Sequence, residues 1–380
     1  MFLQRLRLRN FRNFDDDAVE LPESGAALIG DNGQGKTNFL EAIYYLEIFR
    51  SFRGARDEQL IAFGDEHFRV EGHLGGGDTS GEVDVAAAYA RDGRRKKVTV
   101  NGSEPARVGE AIGQVGAIVF TASDVEIVAG GPGARRRFLD ITLSLGEPGY
   151  LQVLQRYRQV LSQRNSLLRD GAGTAELAAW NEGLVDAGSQ VTEARARWVA
   201  SRQSGFLRVY SAISGGQEGG LDYVPSVPSP DSSPASEVPS VKTWAEAFRF
   251  QLERQADRER RRGLTVVGPH RDDLAFWVAG GDDSVRLRNF GSAGQQRTAA
   301  VALRMVEAEN LRSVSGRRPI VMLDDVFAEL DPQRAERVVG LLTAEEWGQV
   351  IVTSPKPSEF AFMGDTLAEY RIASGVVKRV

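Results

Sequence analysis

Polar and apolar residues alternate at the start of the chain. Leu6 and Leu8 oppose Arg5, Arg7 and Arg9, which predicts a strand with one buried and one solvated face. The run Ala26, Ala27, Leu28, Ile29 predicts a second strand leading straight into Gly30. From Thr37 the period becomes helical, with Leu40, Ile43, Tyr44 and Leu46 on a common face. The segments 83–91 and 96–100 flank the turn dipeptide Asp92-Gly93 and predict a β-hairpin with a basic tip.

The middle of the chain follows a helical pattern. Val153, Val160 and Leu167 recur every seven residues with Leu154, Leu161 and Leu168 beside them, a broad apolar stripe. Gly171-Ala172-Gly173 interrupts it. Trp180, Leu184, Ala187, Val191, Ala194 and Trp198 then step by four and three, so the two segments predict a helical hairpin. Residues 214–242 hold five of the fourteen prolines and seven serines, too little apolar surface to fold alone, and predict a surface loop. Leu221 to Val224 is a candidate short strand within it. Helical character returns from Thr243 and ends at the charged run 258–262.

Composition narrows the function classes. At 380 residues the chain is long enough for two or three domains, and 42% hydrophobic residues exclude wholesale disorder. Cysteine is absent, which excludes disulfides, thiolate nucleophiles and cysteine-ligated metals; three scattered histidines do not form a metal cluster. No long apolar run spans a membrane and the N-terminus is too charged for a signal peptide, so a cytoplasmic protein without a membrane partner is expected. The net charge is −5, so any DNA contact must come from local basic patches or be switched on by a ligand. The candidates are Arg94, Arg95, Lys96 and Lys97 at the hairpin tip, and Arg135, Arg136 and Arg137.

Gly30, Asp31, Asn32, Gly33, Gln34, Gly35, Lys36 and Thr37 match G-x-x-x-x-G-K-[ST]. Glycines let such a loop wind round a phosphate chain with its N–H groups pointing inward. Lys36 would reach the β- and γ-phosphates of ATP, Thr37 would ligate Mg²⁺, and the helix beyond offers its positive end. Asn38, in the same first turn, completes the candidate ATP-binding set.

Such a loop needs an acidic partner at a neighbouring strand end. Pro319 to Leu323 reads as a buried strand followed by Asp324 and Asp325. Asp324 would hold the metal and Asp325 would orient the attacking water as general base; the same residues also suit a helix N-cap. About thirty residues earlier, Ser292-Ala293-Gly294-Gln295 opens an alanine-rich helix, a second anion site. One ATP does not need two such helices from one chain. A homodimer in which each chain's Ser292 turn caps the ATP of the other accounts for both, with a plain helix cap as the other reading.

These elements, in this order, resemble ABC-type ATPases. GDNGQGKTNFLEAIYYL with LRNFRNF ahead of it, GGPGARRRFLD (130–140), GPHRDDL (268–274), GSAGQQR and LDDVFAELD narrow the resemblance to the RecF family. It covers residues 1 to about 140 and about 263 to 355. RecF proteins are similar to SMC and Rad50 heads, which bind ATP between two protomers and hold DNA while dimerised. The resemblance implies an α/β ABC-type P-loop ATPase head, split in sequence, with an inserted mainly helical lobe. The expected divisions are 1–145 and 263–380 for the head and 146–262 for the helical lobe. Lys36, Thr37 and Asp324 match the family's phosphate and Mg²⁺ ligands. Ser292, Gly294 and Gln295 match the signature motif acting in trans, and residues 327–331 resemble the loop along the dimer interface. Arg12 stands where Rad50-like heads place a nucleotide-contacting arginine. Thr353 and Ser354 follow a strand where transporters carry a switch histidine, so slow hydrolysis is expected; residues 119–124 stand in for the glutamine loop. His270 is expected to be a structural joint between lobes.

The implied function is an ATP-switched DNA clamp acting near single-strand/double-strand junctions, with RecR and RecO as partners in loading RecA at gaps. The competing reading is an ABC-type ATPase subunit acting on a protein or membrane partner. Transporter subunits, however, bring loop and acid pair much closer in sequence. Long SMC coiled coils do not fit in the middle region.

Overall fold

The computed structural model describes residues 1–76, 81–228, 238–280, 283–344, 347–355 and 367–380. Residues 229–237 of the Pro/Ser-rich stretch and the side chains of Ala328 and Glu329, in the expected interface loop, lie outside the described residues. In chain order the elements begin β1 (Phe2–Phe11), β2 (Phe14–Glu20), β3 (Gly25–Ile29), α1 (Lys36–Ile48), β4 (His67–Gly75), β5 (Val83–Ala90), β6 (Arg95–Val100) and β7 (Ala117–Thr121). There follow α2 (Val125–Ala129), α3 (Pro132–Gly146), α4 (Tyr150–Arg169), α5 (Thr174–Ser214), β8 (Gly219–Val224), α6 (Val241–Arg262), β9 (Asp273–Gly280), β10 (Asp283–Arg286), α7 (Leu287–Phe290) and α8 (Ala293–Ser315). The last are β11 (Ile320–Asp324), α9 (Pro332–Ala344), β12 (Val350–Ser354), β13 (Ala368–Ala373) and β14 (Val376–Arg379).

Two compact units result: Met1–Asp124 with Glu307–Val380, and Val125–Val306. The helical unit is therefore wider than 146–262. Residues 125–145 belong to it because α3 packs on α4 and α5, and part of 263–306 because β9 pairs with β8. The signature segment at Ser292 falls in this second unit.

The first unit is built on two sheets. Strands β2-β1-β4-β5-β6 form an antiparallel sheet, and β14-β13-β3-β12-β11-β7 a sheet that is parallel except at β14. Alternation in β1 works as the pattern requires. Leu6 and Leu8 are fully buried, while Arg5 and Arg7 pair with Glu20 and Asp16 on the outer face. β3 is buried along its whole length, as a central parallel strand must be. Helix α1 packs against strands of both sheets and is buried nearly all round, so its two glutamates must draw on partners within the protein. Glu47 accepts the backbone N–H groups of Val115 (3.1 Å) and Gly116 (2.8 Å) just before β7. Gln349, also buried, accepts from Leu3 N–H (3.0 Å) and donates to the carbonyls of Leu3 (2.9 Å) and Pro22 (2.8 Å), closing the N-terminal strand onto β12.

The second unit contains the expected hairpin, α4 against α5, with α6 packed on both. At 41 residues α5 is ~60 Å long. The expected mainly helical character is incomplete, because β10-β9-β8 form an antiparallel sheet in the same unit. Buried arginines bind it from within: Arg164 to Glu259 (2.7 Å), Arg195 to Asp140 (2.8 Å) and Arg135 to Asp273 (2.5 Å). Among the described residues no helix is long and apolar enough to cross a membrane.

Candidate nucleotide-binding site

The site lies where the parallel strands end. β3 stops at Ile29, the loop 30–35 turns, and α1 starts at Lys36. Gly33 (φ 82°) and Gly35 (φ 117°) take left-handed backbone conformations that side chains resist. At Gly35 the space is closed as well, since a Cβ would come within 2.7 Å of Asn13 Nδ2. The Lys36 ammonium is buried under the loop and donates to the carbonyls of Gly30 (2.7 Å) and Asp31 (3.4 Å). It thus lies over the cradle where a phosphate chain would enter.

Asp324 closes the site from the next strand but one. Its register partners are Thr353 on β12 and Thr121 on β7. Thr37 Oγ1 donates to Asp324 Oδ1 at 2.9 Å, and Thr353 Oγ1 stands 3.0 Å from the same oxygen. Burial holds the Asp324 carboxyl above its ordinary range, opposed by the Thr37 and Thr353 hydrogen bonds and reinforced by Asp325. A hydroxyl and a carboxylate facing each other are hard oxygen donors of the kind Mg²⁺ selects. Asp325 adopts φ 50°, a strained backbone for a non-glycine residue, and its N–H donates to Thr353 Oγ1 at 3.1 Å. Thr353 therefore ties the Asp325 backbone to the Asp324 carboxylate.

Arg12 reaches the rim from the β1–β2 turn, also at positive φ. Its Nε and Nη2 donate to the two oxygens of Glu41 (2.8 and 2.9 Å), its Nη1 to the Gln59 carbonyl (3.0 Å). Glu41 is fully buried on α1 and also accepts from the Ser51 hydroxyl. This bidentate pair ties the rim to the helix that carries Thr37.

A cavity of about 1050 Å³ opens here, lined by the loop, Arg12, Asn13, Asn38, Arg53 and Asp325 among others. Several of its supports give no sequence signal. Asn13 Nδ2 donates to the Gln34 carbonyl (2.9 Å), and Asn38 Nδ2 to Asn13 Oδ1 (2.8 Å). The β13–β14 turn donates to Gln34 from the N–H groups of Ser374 (2.7 Å) and Gly375 (3.2 Å).

In the second unit, Ser292 and Gln295 cap α8 reciprocally. Ser292 N–H donates to Gln295 Oε1 (2.9 Å), and Gln295 N–H to Ser292 Oγ (3.2 Å). The helix-cap reading of this turn is thus realised, and anion binding by Gly294 and its neighbours would exchange these bonds. The proposed DNA contacts divide. Arg135 is 1% exposed and carries three carbonyls and Asp273, so it is a core residue and not a surface contact. Lys96 is held by Asp57 (2.8 Å) and the Phe49 carbonyl (2.7 Å) over the Tyr45 ring. Arg94 and Lys97 pair with Glu58 and Glu104 at the surface, where Arg95 and Arg137 are also exposed. His270 has its described partners, Tyr157 and Thr265, within its own unit.

The chain matches the RecF/RecN/SMC N terminal domain over residues 2–378. It is 37% identical over 344 residues, 89% of each chain, to the DNA replication and repair protein RecF of Halalkalibacterium halodurans. Among solved structures it resembles the recombination mediator protein RecF-ATPrS in the RecFOR pathway, at 30% identity and TM-score 0.88, covering 100% of this chain and 98% of that one. The corresponding RecF-ATP structure aligns at 28% identity and TM-score 0.87, over 100% and 97% of the two chains.

Proposed function

The chain belongs to the RecF family, and from that premise we propose that it is an ATP-binding recombination mediator whose DNA grip is switched by nucleotide. The observation that carries the reading is the Thr37–Asp324 contact of 2.9 Å beside Lys36, a pair of oxygen groups suited to a cation at the mouth of a phosphate cradle. The loop N–H groups and the α1 N-terminus would bind the phosphates, and the Lys36 ammonium would turn from the loop carbonyls to their β- and γ-oxygens. Thr37 and Asp324 are the residues that would hold Mg²⁺, which when bound neutralises charge on those oxygens. Asp325 would orient the attacking water, and hydrolysis is slow because Thr353 cannot relay a proton as histidine does.

In the proposed cycle two chains close on ATP, the Ser292-Ala293-Gly294-Gln295 turn of each completing the site of the other. The closed homodimer holds duplex DNA near a single-strand/double-strand junction, and hydrolysis releases it. RecR and RecO are the partners, and loading of RecA at gaps is the outcome. The solved relatives, recombination mediator proteins described as RecF-ATP and RecF-ATPrS, support the ATP-binding and mediator parts of this reading.

Binding to a gapped duplex in Mg²⁺, with and without ATP, tests it. The expected result is binding that requires ATP and is lost in Lys36→Ala. ATP-driven dimers that ignore DNA would instead assign the switch to a protein or membrane partner.

A further inference from the structure

Two sequence motifs have no part in the nucleotide site: GGPGARRRFLD (130–140) and GPHRDDL (268–274). The fold of the second unit brings them together. Pro132 starts α3, whose first turn has no side-chain cap, and Gly133 leaves open space where a Cβ would stand. Beside it is a cavity of about 240 Å³, lined by Gly133, Arg136, Arg137, Arg158, Arg195 and His270, with Asp140 as its carboxylate.

The balance of charge in this cavity is positive. Asp140 is already engaged by Arg158 (2.7 Å), Arg195 (2.8 Å) and the Tyr150 hydroxyl (2.9 Å). Arg195 is 2% exposed; its other nitrogens donate to the Tyr150 oxygen (3.2 Å) and the Pro269 carbonyl (2.6 Å), and Nη1 also stands 3.7 Å from Asp272, so it is a fixed cation held between two carboxylates. Arg136 has a different situation. Its bond among the described residues is to the neutral Asp272 carbonyl (2.8 Å), and burial together with Arg195 pushes its pKa down. An anion beside Arg136 relieves both penalties. His270 contributes no charge: Nδ1 accepts from Tyr157 (2.6 Å), Nε2 donates to the Thr265 carbonyl (3.0 Å), and burial lowers its pKa to about 4.

We propose that this cavity, formed by the α3 first turn and Arg136, Arg158 and Arg195, is a phosphate-binding site separate from the nucleotide loop. Arg136 and Arg158, whose described bonds use Nη1 and Nη2 respectively, keep guanidinium nitrogens to offer the oxygens of a tetrahedral phosphate beside an uncapped helix N-terminus, while Arg195 adds charge alone. The volume lies below the roughly 300 Å³ at which small-molecule sites begin, so it takes a phosphate group and not a whole nucleotide. The group is either free phosphate or a phosphodiester of a nucleic-acid backbone.

Arginine modification by phenylglyoxal, mapped by peptide mass on the full-length wild-type chain, reads the site directly and independently of the nucleotide loop. Inorganic phosphate at ten times its Kd should slow modification of Arg136 and Arg158 about tenfold, leaving Arg249 unchanged. Protection by phosphate alone assigns a free anion, and protection by a short duplex as well assigns a backbone phosphate. Absence of protection by either overturns the site, whatever the outcome of the ATP-dependent DNA assay. As a second measure, Arg136→Gln and Arg158→Gln should each weaken saturable phosphate binding at this site about tenfold in calorimetry with the nucleotide loop disabled by Lys36→Ala. Unchanged affinity in both also overturns it.

Discussion

Replacing Glu47 by glutamine should remove part of the pH dependence of the first unit's stability. Glu47 is fully buried on α1, and burial is the main cause that raises its pKa from 4.5 to about 7. One oxygen accepts the N–H groups of Val115 and Gly116; the other, Oε1, has no hydrogen-bond partner among the described residues and is where a proton would reside. Below pH 4.5 the folded and unfolded states both hold that proton, and Glu47 imposes no pH-linked cost. Between 4.5 and about 7 the unfolded chain releases it while the folded chain keeps it, so stability falls as pH rises. Above about 7 the loss is complete. The interval from 4.5 to about 7, at about 1.4 kcal/mol per pH unit, amounts to about 3 kcal/mol.

The substituted side chain would retain the acceptor oxygen and cannot ionise. Any constant cost of the substitution cancels when the two proteins are compared across pH. The stability difference should therefore move by about 3 kcal/mol in favour of Glu47→Gln between roughly pH 4.5 and pH 8.5. Of the five tryptophans only Trp347 lies in the first unit, so fluorine NMR of fluorotryptophan-labelled protein during urea unfolding reports on this unit. A difference that stays constant with pH would refute the reasoning, since Glu47 would then titrate alike in both states.

Asp325→Asn should slow ATP turnover by about 10²- to 10⁴-fold while closed DNA-bound dimers accumulate; turnover at the wild-type rate would exclude Asp325 as the base. Ser292→Arg should preserve nucleotide binding in calorimetry but abolish ATP-dependent dimerisation in light scattering. Dimers that persist would contradict the arrangement in trans. Arg12→Ala leaves the fully buried Glu41 without the bidentate partner it holds at 2.8 Å and should cost about 3–5 kcal/mol in unfolding of the first unit, with weaker nucleotide binding. A stability change below about 1 kcal/mol would show that the pair is dispensable.

Local pattern carried much of the nucleotide site. The glycines, Lys36 and Thr37 are contiguous, and the carboxylates end an apolar strand, so backbone demands and strand burial already mark them in the chain. The alternation of β1, the β5–β6 hairpin and the α4–α5 pair were legible for the same reason: each repeats a period that one element imposes on its neighbours in sequence. Charge runs were less informative. Arg135 and Arg136 are adjacent, yet the first is buried on Asp273 and the second borders a cavity, because successive helical positions point about 100° apart.

Tertiary structure alone decided the supports of the site and the limits of the units. Thr353 bridging the Asp324 carboxylate and the Asp325 backbone, the Ser374–Gly375 turn on Gln34, and Gln349 on Leu3 join residues far apart in the chain. So does the pairing of β13 with β3; that of β9 with β8 crosses from the Pro/Ser-rich stretch to the region assigned to the head. Such contacts leave no periodic trace, since a single Thr, Asn or Gln has the same local propensity wherever its partner lies. A sequence can specify the element and the chemistry it carries, but which buried polar group it must satisfy is settled only when the sheets and helices close on one another and water is excluded.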